Sequence, residues 1–148
     1  MDIDVTKLLD TTTPPPALPP GHTAVVGLGK GDDGPLVLEM LASGKAKAAR
    51  AFVAAIADVL RRCPKFTIGM VGTDDKIVLN QSPLAGPSVG ETSVAAAITI
   101  DGVPGVMDLI AFAKGRVAGA LLYFGDKPDP RGFSVIARTA VRKLRNLK

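Results

Sequence analysis

Side chains able to do chemistry are few in this sequence and widely spaced. There is one histidine, His22, beside a proline-rich stretch, and one cysteine, Cys63. Neither belongs to a Ser/His/Asp, Cys/His or G-x-S-x-G pattern, and no His/Cys/Asp/Glu grouping has metal-ligand spacing. The acidic pairs Asp32-Asp33 and Asp74-Asp75 fall between apolar runs, where turn chemistry accounts for them, and the first falls short of a calcium-loop spacing. Gly27-Leu28-Gly29-Lys30-Gly31 has the look of a phosphate loop. Such loops need a helix to follow, so that its N-terminus meets the phosphate, and here a turn follows instead. Catalysis would be left to carboxylates and hydroxyls alone. The chain is therefore expected not to be an enzyme, and no metal or cofactor is implied.

The one polar pair that could orient a bound molecule is Asp108 and Tyr123, which lie in the two arms of a hairpin. Lys114-Gly115-Arg116 separates VMDLIAFA from VAGALLYF, and Gly supplies the positive φ that a two-residue turn requires. Either Lys114-Gly115 or Gly115-Arg116 at the tip leaves the same side chains sharing a face. One face carries Asp108, Ile110, Phe112, Val117, Gly119, Leu121 and Tyr123. The other carries Met107, Leu109, Ala111, Ala113, Ala118, Ala120, Leu122 and Phe124, so neither is a solvent face.

A third strand, from Ser93 to Ile100, precedes this hairpin and makes it a meander. A five-residue loop, Asp101-Gly102-Val103-Pro104-Gly105, would put Val94, Ala96, Ile98 and Ile100 on the Asp108 face. A four-residue loop would reverse them. The longer loop is preferred because it gathers the small residues on one side, where a helix can approach closely.

Earlier in the chain, Thr23 to Leu28 and Leu36 to about Ala42 read as one hairpin, and Phe66 to Val71 and Lys76 to Gln81 as another. Between them Ala46, Ala49, Phe52, Val53, Ile56, Val59, Leu60 and Cys63 recur at helical spacing. Ser43 is expected to cap this helix and Pro64 to end it, leaving Cys63 on the buried stripe. A second helix begins at Asp129-Pro130, a favourable N-cap and first helical residue. Its apolar stripe is Phe133, Ile136, Ala137, Ala140, Val141 and Leu144. Arg131, Arg138, Arg142 and Arg145 line its other side. That stripe reads as a solvated face complementing the helix dipole or, alternatively, as a surface for anionic lipid or an acidic partner.

Length and composition fit one domain. The 148 residues suffice for a core without disulfide or metal, and only 4% are aromatic, so Val, Leu, Ile and Ala must fill that core. Residues 1–22 form a Pro-rich arm, a linker or a docking site for a Pro-binding module, and residues 23–148 the domain. The net charge of +4 permits an acidic partner. A nucleic-acid binder would add a dense basic patch interleaved with aromatics, which this sequence lacks. No apolar run reaches the roughly 20 residues of a membrane span, and Met1-Asp2-Ile3-Asp4 lacks the basic start of a signal peptide.

Several phrases resemble the extracytoplasmic sensor-type domains and lipoproteins of actinobacteria, the group related to the extracellular domain of the PknH kinase. They are Leu8-Leu9 followed by Leu18-Pro19-Pro20-Gly21, a helix running into Arg62-Cys63-Pro64-Lys65-Phe66-Thr67, and Pro128-Asp129 ahead of a closing helix. The resemblance implies an antiparallel sheet with helices packed on it, no enzymatic activity, an envelope location and a cleft for a ligand. Signal and lipid anchor would then lie outside these residues.

The fold expected is α+β: an antiparallel twisted sheet of about six to seven strands with two long helices packed on one face. Helices on the alanine face would leave Asp108, Ile110, Phe112, Leu121 and Tyr123 uncovered, to bind a small apolar or lipid-like ligand. The competing reading is a protein–protein interaction or structural module, its apolar face covered by a partner or a second copy.

Overall fold

The computed structural model describes residues 23–29, 35–69 and 76–144. Within them lie seven strands and two helices: β1 Thr23–Gly29, β2 Leu36–Ser43, α1 Ala46–Arg62, β3 Lys65–Gly69, β4 Lys76–Pro83, β5 Thr92–Ile100, β6 Val106–Lys114, β7 Val117–Gly125 and α2 Pro130–Lys143. The strands make one antiparallel sheet in the order β1-β2-β7-β6-β5-β4-β3. Every neighbouring pair except β2/β7 is consecutive in the chain; α1 carries the chain from β2 across to the far edge. The expected α+β architecture is present. The acidic pairs Asp32-Asp33 and Asp74-Asp75, the arm 1–22 and Arg145 lie outside the described residues.

The β6–β7 hairpin turns on Gly115-Arg116, since Lys114 pairs with Val117. Gly115 has φ +56°, the left-handed value needed at the first tip position of a II′ turn. This register sets Asp108 directly opposite Tyr123. The β5–β6 register differs from the one preferred from sequence. Ala95 pairs with Ile110 and Ala97 with Asp108, so Val94, Ala96 and Ile98 share the opposite face with Ala111. The connection is the four-residue one, closed by a hydrogen bond from Val103 N to Ile100 O at 3.1 Å and allowed by left-handed backbone at Gly102.

The helices do not share a face. α1 sets Ala49, Val53 and Phe52 against Ala113, Ala118 and Val94, as small residues on both sides permit. α2 sets Phe133, Ala137, Ala140 and Val141 against Ile110, Phe112 and Leu121 on the other side. The reason is that both faces of the central hairpin are apolar, so each needs its own cover, and a sheet buried on both sides requires a layer above and a layer below. Gly119 marks how closely α2's side is filled: a Cβ there would collide with the Phe112 ring and come within 2.8 Å of Leu41 Cδ2.

Helix ends follow local chemistry in part. Asp129 Oδ1 accepts a 2.9 Å hydrogen bond from Gly132 N, with Pro130 in the first turn, as expected. Ser43 is not a cap; it ends β2 opposite Val117, and α1 starts after Lys45 without a side-chain cap. At its other end α1 stops at Cys63, which is buried. There the buried Gln81 of β4 donates from Nε2 to Leu60 O and to Cys63 O, satisfying carbonyls that the helix leaves open. Gln81→Met keeps the volume and removes the donor, so it should lower stability by about 1 kcal/mol in urea unfolding. An unchanged midpoint would mean that water serves those carbonyls equally well.

Candidate functional site

Of the residues expected to line an open face, Asp108, Ile110, Phe112 and Leu121 are closed beneath α2, each no more than 1% exposed. The uncovered face is therefore corrected: α2 occupies it. Tyr123 alone reaches the surface of this region. Its ring lies 6.0 Å from that of Phe133, tilted by 44°, and extends along β7 over Gly125, where an added Cβ would sit 2.9 Å from the phenol oxygen. Gly125 is thus the residue that lets the ring lie flat toward the end of the sheet.

At that end opens a cleft of about 590 Å³. Its walls come from the β5–β6 connection, with Val103 and Pro104, from Ile98, Met107 and Phe124, and from the segment Asp126-Lys127-Pro128-Asp129 ahead of α2. These segments meet because β5 ends, β6 begins and β7 ends at the same edge of the meander. Sequence reading missed the cleft. The signal was available in two Gly- and Pro-bearing connections, Asp101–Gly105 and Gly125–Pro130, which antiparallel pairing must bring to one end.

The electrostatics here are acidic. Asp108 is 0% exposed, and neither carboxylate oxygen has a hydrogen-bond partner among the described residues. Burial, and then the charge of Asp129, push its carboxyl above the ordinary carboxylate value. The Tyr123 phenol is raised as well, by burial first and then by Asp129, Asp108 and Asp126. A phenol so placed stays protonated at neutral pH and can donate a hydrogen bond. The Asp129 carboxylate is already engaged as the α2 cap. Among the described residues no three His, Cys, Asp or Glu side chains converge as metal ligands.

The arginines divide. Arg131, Arg138 and Arg142 are exposed on α2. Arg142 Nη2 lies 3.3 Å from Thr139 Oγ1, and no carboxylate pairs with any of the three among the described residues.

No protein-family model matches the chain, and no curated protein sequence does. The solved structures give a match at the level of fold. The chain is similar to the crystal structure of the extracellular domain of PknH from Mycobacterium tuberculosis. The likeness has a TM-score of 0.61 at 15% identity, over 82% of this chain and 64% of the PknH chain. The chain thus spans less than two thirds of the PknH domain's length. At that identity the likeness is one of fold alone. Among the described residues no helix is long and apolar enough to cross a membrane.

Proposed function

We propose that this domain is a non-catalytic, sensor-type module of the cell envelope, carried as an extracytoplasmic lipoprotein of actinobacterial type, that holds an apolar or amphiphilic ligand. The observation that carries the reading is the cleft at the end of the meander. Its walls of Val103, Met107, Ile98 and Phe124 offer apolar surface, and the Tyr123 hydroxyl and the Asp126 side chain supply polar contacts at one side. A non-catalytic role accords with Asp129, whose carboxylate is occupied by the helix it caps. The PknH-like fold supports an extracytoplasmic setting. The exposed arginines of α2 then suit an anionic membrane surface nearby.

The test is a native mass spectrum of the protein after exposure to an envelope lipid extract, paired with titration of an apolar fluorescent probe. A retained lipid or bound probe is expected, and Val103→Asp, an exposed position on the cleft wall, should weaken binding about tenfold, equivalent to about 1.4 kcal/mol. Unliganded protein that also ignores the probe would overturn the reading, as would wild-type affinity in Val103→Asp.

A further inference from the structure

Independently of the cleft, the edge of the sheet formed by β1 is built to receive another strand. β1 runs for seven residues in unbroken register with β2, without bulge, proline or charge, and every one of its residues is exposed. Edges of this kind present a row of free backbone N–H and C=O groups, and folded proteins ordinarily blunt them with lysine, proline or a bulge. The opposite edge carries charge: β3 starts on Lys65, which pairs with Asp101 at 3.7 Å.

Side chains around β1 repeat the message on both faces. Eight large hydrophobic residues are exposed among those described, and six of them cluster here: Val25, Val26, Leu28, Leu36, Met40 and Val135. Val26 and Leu28 line one groove of about 240 Å³ with Val135 of α2, while Val25 stands beside its β2 partner Met40 on the other face. With Val25 68%, Val26 47% and Leu28 64% exposed, an added strand would meet apolar side chains on both faces, with Glu39 and Lys143 also lining the groove.

We infer that a second copy of this chain supplies that strand, its β1 pairing antiparallel to this one about a two-fold axis through Val26. In that register Ala24 faces Leu28, Val25 faces Gly27, Thr23 faces Gly29, and Val26 faces itself. Large residues therefore oppose small ones at each flanking pair, and the charge-free strand brings no like charges together despite the net charge of +4. The sequence just ahead of β1 is poorly suited to take the place. Folding back about Gly21-His22 would set residues 14–20 against β1, and five of those seven are prolines, which donate no ladder hydrogen bond.

The geometry gives a direct test. Directly opposed residues in an antiparallel pair have Cα atoms roughly 4.5–5.5 Å apart, inside the range of about 4.4–6.8 Å that a disulfide spans. The full chain should sediment as a dimer, and Val26→Cys should cross-link between copies under mild oxidation at least tenfold faster than Val103→Cys. Val103 is a matched control, 53% exposed and remote from the edge. Val26→Lys on one face and Val25→Lys on the other should each shift the mass toward monomer. A monomer at high concentration overturns the inference. So does a Val26→Cys rate equal to that of Val103→Cys, which remains decisive if the lysine variants fail to fold.

Discussion

Phe133→Ala should lower stability by about 3–5 kcal/mol, the usual cost of emptying a fully buried phenylalanine site. Phe133 is 0% exposed and is the large residue that α2 drives into Ile110, Phe112 and Leu121. Its companions on the helix, Ala137 and Ala140, are small, so little else can take up the lost contact. Thermal denaturation should show a fall of roughly 10 °C, at 2–4 °C per kcal/mol for a chain of this size. Hydrogen exchange should speed along α2 while α1, on the other face, keeps its protection. A loss below about 1 kcal/mol would mean that α2 does not hold the sheet in the way described.

Asp108→Asn should stabilise the protein at neutral pH and leave it unchanged in acid. The carboxyl is buried without a partner among the described residues, and the folded state raises its pKa through desolvation first and Asp129 second. The folded chain then keeps the proton at pH values where the unfolded chain, titrating near 3.9, has released it. Stability from this group is fully present below that unfolded value. It declines as pH rises toward the raised folded value, and beyond it the deficit is constant. Asparagine has the same shape and no charge to bury. The gain expected at neutral pH is the ionisation cost alone, about 1.4 kcal/mol for each tenfold by which burial disfavours the charged carboxylate, since the asparagine amide is left as unpaired as the protonated acid. Urea midpoints of both proteins across acid and neutral pH would show it. A variant less stable than the parent at pH 7 would reveal a donor serving Asp108.

Much of the fold was legible because turns announce themselves. Gly115, Asp129-Pro130 and Pro64 each fix a chain reversal or a helix end by local chemistry, independent of what packs around them. The β5–β6 register was not legible, since Asp101–Gly105 can close with four residues or five and both Gly102 and Gly105 tolerate left-handed backbone. Nor was the placement of α2. A central hairpin apolar on both sides says that two covers are needed without saying which helix supplies which, and the Phe and Ile side looked bare only while both helices were assigned to the alanines. The candidate site followed that assignment. Tyr123 was found because it is polar in an apolar strand, whereas the cleft it borders depends on loops meeting through tertiary structure.

The pairing of β2 with β7 also orders events as the chain folds from one end. β3 to β7 are each adjacent to the next in the chain, so this part of the sheet can zip up through short-range reversals. β1 and β2 precede the other described strands, yet the strand that β2 must join is the last of the seven to emerge. Until β7 emerges, the β1–β2 hairpin carries two open edges, and an isolated hairpin is at best marginally stable in water. The emerging chain is therefore most exposed to mispairing on the β1–β2 side, over an interval set by how soon the segment ending at Gly125 follows.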